Sequence, residues 1–84
     1  MTSLTSLKNI GPKSARWLQA VGIHTAENLD EIGVVEAYRR VKDAFPGQVS
    51  LNMLWALQGA VLNIPYTEIP EGLKEKLKAE VGEE

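Results

Sequence analysis

The 84-residue chain contains no cysteine, and aromatic residues make up only 6% of it. Without cysteine the protein can form neither disulfide bonds nor thiolate metal sites, which is compatible with a reducing compartment. No apolar run approaches the roughly 20 residues that a membrane-spanning helix requires. The N-terminus also lacks the basic start and apolar stretch of a signal peptide. Together these absences lead us to expect a cytoplasmic protein with no membrane contact.

A large excess of basic residues is also missing. The net charge is −2 at pH 7 and the pI is about 5.4, whereas a strong, indiscriminate DNA binder has a pI above about 9. The charge is nevertheless unevenly distributed. Residues 1–26 carry Lys8, Lys13 and Arg16 and no acidic residue, whereas residues 27–84 carry six basic and eleven acidic residues. The N-terminal part is therefore positive, either as an ordinary solvated surface or as a face for an anionic partner.

Proline, glycine and capping residues divide the sequence into helical segments. The 44% of apolar residues fits one folded domain with a modest core, which we expect to cover residues 1–84. The fold class that we predict is all-α, with about five short helices and no strands. These come from six candidate segments, of which the first and third are short. They are one behind a Thr2 or Ser3 cap that ends before Gly11, Pro12 to about Ala20, the Thr25 cap through Asp30, Val34 to about Ala44, Leu51 to Asn63, and Glu71 to about Ala79.

The segment Leu51–Leu62 is the most apolar part of the chain. It is apolar nearly all round, so we predict that it forms a buried central helix with the other helices around it. Trp17 and Trp55 lie among apolar residues at helical spacing, and we expect them to pack in the core rather than stack on bases. Residues 79–84 are expected to form a frayed tail.

The stretch from Leu7 to Leu18 carries the clearest motif. Gly11 can adopt backbone angles that other residues avoid, and Pro12 suits the first position of a helix. Asn9 is the residue type that best tolerates a left-handed turn after glycine. The stretch therefore predicts a short helix, a tight turn and a second helix. It resembles a helix-hairpin-helix motif, a module often used for sequence-independent DNA binding.

The candidate nucleic-acid site is this turn together with its flanking cations. Free N–H groups at the start of the second helix can hold a phosphate, and nearby cations add charge without reading sequence. The alternative is a helix–helix corner that uses the same residues only for packing. The candidate site residues are Lys8, Asn9, Gly11, Lys13, Ser14 and Arg16.

A nine-residue pattern, Leu-x-x-Ile-Gly-x-x-x-Ala, occurs twice. The first copy is Leu7–Ala15 and the second is Leu29–Ala37, 22 positions later. The pattern suggests two pseudo-repeated hairpins. The second copy has Glu36 in its first helical turn, where it would repel a phosphate, so we interpret it as structural.

No arrangement of residues indicates an enzyme. The sequence has no recognisable set of nucleophile, base and orienting group, and no cluster with metal-ligand spacing. The single histidine, His24, follows a predicted helix end and is interpreted as a turn residue. We expect a protein without catalytic activity, cofactor or metal.

Several blocks of the sequence resemble the C-terminal domain of the TfoX (Sxy) family. They are Leu7–Leu18, Val21–Thr25, Glu31–Tyr38, Ser50–Leu57 and Gly59–Ala60. The resemblance implies an all-helical domain of a bacterial regulator associated with natural competence, and it supplies no catalytic residues. Full-length members carry an N-terminal α/β domain for which 84 residues leave no room, so the chain is expected to be a stand-alone version or an excised domain.

The resulting expectation is a non-catalytic regulatory module that binds the DNA backbone weakly through the first turn. The alternative is a protein–protein interaction module that does not contact nucleic acid, whose acidic later part would meet a basic partner. The sequence predicts neither the partner nor the oligomeric state.

Overall fold

Five α-helices and two single turns of 3₁₀ helix make up the part of the chain that the structure describes. The structure, a computed structural model, describes residues 2–82. Over that range it contains no strand, only an isolated bridge between Ser3 and Thr25. No helix within residues 2–82 combines the length and the apolar character needed to cross a membrane. The elements are α1 (Pro12–Ala20), α2 (Ala26–Ile32), α3 (Val34–Ala44), α4 (Leu51–Leu62) and α5 (Glu71–Val81), with 3₁₀ turns at Leu4–Ser6 and Tyr66–Glu68.

The helix boundaries follow the residues that restrict or cap the backbone. Pro12 is the first residue of α1. The Thr25 hydroxyl accepts a hydrogen bond from the Asn28 N–H at 3.1 Å and so caps α2, as predicted. Gly33 separates α2 from α3 with φ +89°, an angle that favours glycine. Asn63 ends α4 in the left-handed conformation.

The helix with the most helical neighbours is α3. It packs against α1, α2, α4 and α5, and its residues Ala37, Tyr38 and Val41 are at most 1% exposed. The predicted central helix, α4, packs mainly against α3 and the second 3₁₀ turn. It buries Met53, Leu54, Leu57, Gly59 and Ala60 but exposes Val61 and Leu62 at 38% and 46%. Apolar content therefore predicts the burial of most of α4 but not its position at the centre.

The segment before the first turn differs from the prediction. It forms one 3₁₀ turn, Leu4–Ser6, instead of an α-helix. The turn ends at Leu7, whose backbone is extended, so it does not continue as an α-helix. Leu4 and Ile10 are buried and Leu7 packs against the core. The helix-hairpin-helix motif is therefore not confirmed, because the element before Gly11 is a single 3₁₀ turn and not an α-helix.

The two copies of the nine-residue pattern agree only in part. Gly11 and Gly33 each precede a helix and accept the first helical hydrogen bond, from Ala15 at 2.9 Å and from Ala37 at 3.0 Å. Both alanines are buried. The elements before the glycines differ, however, since one is a 3₁₀ turn and the other is α2. The shared pattern therefore corresponds to a common helix start.

The last helix is longer than predicted. It continues through Val81, whose side chain packs against the core, and Gly82 ends it with φ +78°. The Arg39 guanidinium of α3 donates a hydrogen bond to the Glu80 carbonyl. These contacts join Glu80 and Val81 to the rest of the fold, and the fraying expected for residues 79–84 stays a prediction. Residues 83–84 of the predicted tail lie outside the described residues.

Candidate nucleic-acid interface

The N-terminal end of α1 is open to an anion. The residue before the helix is Gly11, which has no side chain to cap it, and the first turn contains no acidic residue. The first helical bond is that of the Ala15 N–H, so the earlier N–H groups of Lys13 and Ser14 have no acceptor within the helix. The positive end of the helix dipole adds to these donors.

Most other helices of the domain begin with an acidic residue. The first turns of α2, α3 and α5 contain Glu27, Glu36 and Glu71, respectively. A carboxylate in the first turn would repel a phosphate at that helix end. Only α1 and α4 begin without one. The second pattern copy has Glu36 in the first turn of α3, as predicted.

The three predicted cations surround the start of α1. Lys8, Lys13 and Arg16 are all exposed. Lys13 and Arg16 are three residues apart on α1 and therefore share a face of the helix. The Lys13 Nζ lies 5.1 Å from the centroid of the Trp17 ring, a cation–π contact within α1. We call residues 8–16 the α1 turn.

Asn9 forms hydrogen bonds within the fold. Its Nδ2 donates to the Ile64 carbonyl at 2.9 Å, and its Oδ1 accepts from the Tyr66 N–H at 3.2 Å. Asn9 has φ +73°, which confirms the predicted left-handed tolerance. Gly11, by contrast, has an extended backbone with φ −93°, so its predicted special conformation is wrong. The structure places Asn9 as a link between the α1 turn and the segment after α4.

This link depends on Gly59, for which the sequence indicates no role beyond its place in a block that resembles the family. A Cβ atom at Gly59 would lie 2.4 Å from Asn9 Nδ2 and 2.7 Å from the Ile64 carbonyl oxygen. Only a glycine at this position of α4 allows the two segments to approach so closely. The signal in the sequence is a glycine in the middle of an otherwise apolar helix.

A cleft of about 240 Å³ adjoins the α1 turn. Ser14 and Trp17 of α1, Met53 and Ala56 of α4, and the exposed Tyr66 contribute to its lining. The remaining lining residues are Asn9, Gln48, Ser50 and Asn52, so no lining residue carries a charge. Sequence analysis did not identify this cleft because its residues come from separate segments of the chain. Asn9 and Ser14 belong both to the cleft and to the predicted site.

The family is decided by the match of the whole domain. The model of the TfoX C-terminal domain matches residues 1–81. The chain belongs to the TfoX C-terminal domain family. The "DNA transformation protein TfoX1" of Aliivibrio fischeri (strain ATCC 700601 / ES114) is 27% identical to it over 78 residues. This alignment covers 93% of the chain but only 37% of that relative, so the chain spans little more than a third of the curated protein's length.

Two solved structures from Listeria monocytogenes share the fold of this TfoX C-terminal domain. One is of an uncharacterized protein in a triclinic form, with a TM-score of 0.85, and covers 92% of this chain and 86% of its own. The other is of a protein of unknown function in a tetragonal form, with a TM-score of 0.84, and covers 92% of this chain and 94% of its own. Both are 34% identical to the chain.

A larger groove, of about 360 Å³, lies on another face of the TfoX C-terminal domain. It is formed by residues at the α2–α3 junction, in α4 and in α5, including Val35, Val61 and Leu73. Asp30 and Lys76 also line it. Val61, which is partly exposed, is shared with a smaller cavity of about 120 Å³. This face contains none of the predicted site residues.

Both tryptophans pack against the core, as the sequence predicts. Trp17 contacts Phe45 with a ring-centroid distance of 5.9 Å, and Lys74 Nζ lies 5.7 Å from the centroid of Trp55. His24 is exposed, and its backbone N–H donates a hydrogen bond to Asn28 Oδ1 at 3.1 Å. Within residues 2–82 no three His, Asp or Glu side chains come together as a metal site would require.

Among the residues that the structure describes, Glu27 and Tyr38 have clearly shifted pKa values, and both shifts have structural explanations. The N–H and the hydroxyl of Thr2 each donate to the Glu27 carboxylate at 3.0 Å. These bonds favour the ionised form and lower the pKa of Glu27 below its ordinary value of 4.5. Burial raises the pKa of Tyr38, which lies in the core. Neither group belongs to the α1 turn.

Proposed function

We propose that this TfoX C-terminal domain is a non-catalytic regulatory module that contacts the DNA backbone weakly through the α1 turn. The observation that carries the proposal is the helix end itself. The α1 N-terminus has neither an acidic residue nor a side-chain cap, and three exposed cations lie within residues 8–16 of an otherwise acidic domain. A phosphate complements this combination of donors, dipole and charge.

The contacts divide the predicted site residues into two roles. The N–H groups of Lys13 and Ser14 and the charges of Lys8 and Arg16 would contact phosphate oxygens. Asn9, whose amide is bonded to the segment after α4, would hold the turn in place. Phosphate contacts of this kind carry no sequence information, so we expect binding without sequence preference.

The expected affinity is low because the local charge is small. Three cations neutralise about three phosphates, which predicts a slope near −3 for the logarithm of the binding constant against the logarithm of salt concentration. The acidic remainder of the chain adds long-range repulsion. Binding should therefore be detectable at low salt and nearly absent at moderate salt.

The link to competence regulation is part of the proposal. It is supported by membership of the TfoX C-terminal family and by similarity to a protein named for DNA transformation. The chain matches little more than a third of that relative. We therefore propose only that this domain contributes to a regulatory activity of the relative's kind.

The substitution Lys13→Glu tests the proposal. It reverses a charge at the open end of α1, and we expect it to abolish duplex binding while leaving the fold intact, because Lys13 is exposed. Lys76→Glu in α5 is the matched control, since it makes the same charge change away from the α1 turn and should retain most of the binding. Fluorescence anisotropy with a labelled duplex at low and moderate salt measures both. Unchanged binding by the Lys13→Glu variant would remove the α1 turn from the proposal.

The alternative function is interaction with a protein. The 360 Å³ groove favours it, because the groove is partly apolar and adjoins the exposed side chain of Val61. A partner held by apolar contacts should stay bound as the salt concentration rises, whereas DNA held through phosphates should dissociate. The salt dependence of any complex thus distinguishes the two functions.

A further inference from the structure

We infer that the 240 Å³ cleft beside the α1 turn takes an unpaired nucleobase, so that this domain prefers single-stranded DNA to duplex. The inference rests on the proposed contact with the DNA backbone. It adds a contact with a base of the same DNA strand. Phosphates at the α1 turn and a base in the cleft would belong to the same strand, since Ser14 lines the cleft and is also in the first turn of α1.

The size of the cleft restricts its occupant. Sites for drug-sized ligands measure about 300–1,000 Å³. At about 240 Å³ the cleft is smaller, and it is open to solvent through exposed residues at its edge. A single planar ring system with its attachment left outside fits this volume and opening.

Tyr66 gives the cleft an aromatic surface. It is 43% exposed, which is unusual for a large apolar side chain in this domain, where only Val61 and Leu62 are comparable among the described residues. The Tyr66 N–H is bonded to Asn9 Oδ1, so its backbone is held at a fixed place beside the α1 turn. Every base has a face that can stack on such a ring, which makes the contact tolerant of sequence.

The polar side chains of the cleft match the edges of bases. Gln48 and Asn52 each offer one acceptor and two donor hydrogens, and both are exposed at the cleft. No lining residue is charged, so the cleft itself favours a neutral group, while the cations lie outside it on the α1 turn. This separation of neutral and charged groups corresponds to a base and its neighbouring phosphate.

A base within a duplex is paired and stacked, so it must leave the helix before it can enter a cleft. That step costs free energy, and the cost is least for a base that is already single-stranded. Single-stranded DNA should therefore bind more tightly than a duplex of the same sequence. The duplex would retain only the backbone contacts.

Anisotropy titrations of a labelled single strand and its duplex, at low salt, test the inference. We expect Tyr66→Ala to weaken single-strand binding about tenfold and to leave duplex binding unchanged. Tyr66→Phe keeps the ring and should bind as the original protein does. Leu62→Ala is the matched control, since Leu62 is equally exposed at 46% but lies outside the cleft, and it should change neither titration. A strand with abasic positions should bind the original protein as weakly as the intact strand binds the Tyr66→Ala variant.

The outcomes separate this inference from the proposed function. If neither DNA form binds, the proposed backbone contact fails, and the inference fails with it. If strand and duplex bind equally and Tyr66→Ala changes neither, the inference alone is overturned. An equal loss on both forms also overturns it, because Tyr66 would then only support the α1 turn. A mononucleotide that competes as well as the strand would assign the cleft to free nucleotides instead.

Discussion

The side chain of Asn9 belongs to the predicted ligand site, yet its amide forms hydrogen bonds within the fold. Its residue type predicts the left-handed turn correctly, but not the bonds to the Ile64 carbonyl and the Tyr66 N–H. Those partners are 55 and 57 residues away in sequence, so no local pattern could indicate them. Gly59 completes the arrangement by leaving space for the amide.

We expect Gly59→Ala to destabilise the domain despite the higher helix propensity of alanine. The added methyl group would overlap Asn9 Nδ2 and the Ile64 carbonyl, and overpacking of this kind costs about 1–3 kcal/mol. Gly72→Ala is the control, because its Cβ would meet no atom within 4 Å, and there the change should be neutral or stabilise α5 by up to about 1 kcal/mol. Urea unfolding of both variants measures the difference. A Gly59→Ala variant as stable as the original would contradict the close approach.

At the scale of elements, sequence predicts the helices that have local boundary signals. The start of α1 coincides with Pro12, the α2–α3 junction with Gly33 and the start of α2 with its Thr25 cap. Such signals are not sufficient at the two 3₁₀ turns, because Ser3 precedes the first without making a capping hydrogen bond and no side chain caps the second. The first was predicted as a helix and the second, Tyr66–Glu68, was not predicted. Both depend on tertiary contacts, since the first packs on α1 and the second on α4.

The start of α2 should be sensitive to acid. The bonds from Thr2 lower the pKa of Glu27 in the folded state below its unfolded value, so their stabilising contribution is complete above that value and is lost as pH falls. Between neutral pH and a pH of about 3.5, we expect the original protein to lose more thermal stability than Glu27→Gln. Thermal melts followed by circular dichroism measure this. Glu31→Gln removes a carboxylate elsewhere on α2 and is the control, which should lose as much thermal stability as the original protein. Equal losses of thermal stability in the original protein and both variants would exclude the Thr2 contact as the cause.

At the scale of the whole molecule, the charge distribution and the fold class were predictable, whereas the cleft was not. The excess of cations in residues 1–26 is visible in the sequence, and the structure leaves all three exposed at the α1 turn. The cleft is assembled from α1, the segment before α4, α4 itself and Tyr66. The position of α3 between four other helices was not predictable either. It has fewer apolar residues than α4, so apolar content alone would place α4 at the centre.

The uneven burial of α4 should appear in its stability. Leu54 is fully buried, and Leu54→Ala should lower the free energy of unfolding by about 2–5 kcal/mol. Leu62 is 46% exposed, so Leu62→Ala should change it by less than about 0.5 kcal/mol. The total free energy of unfolding of a small domain is only about 5–15 kcal/mol, so Leu54→Ala should remove a large part of it. Urea unfolding measures both, and similar losses in the two variants would contradict the observed orientation of α4.

The hydrogen bonds of Asn9 also bear on how the domain folds. Most helical contacts join residues near one another in sequence and can form early, whereas these bonds close a loop of more than fifty residues. They can form only after the segment following α4 has reached the α1 turn. Interactions that are absent from the folding transition state chiefly govern the rate of unfolding. Losing this amide should therefore speed unfolding more than it slows folding.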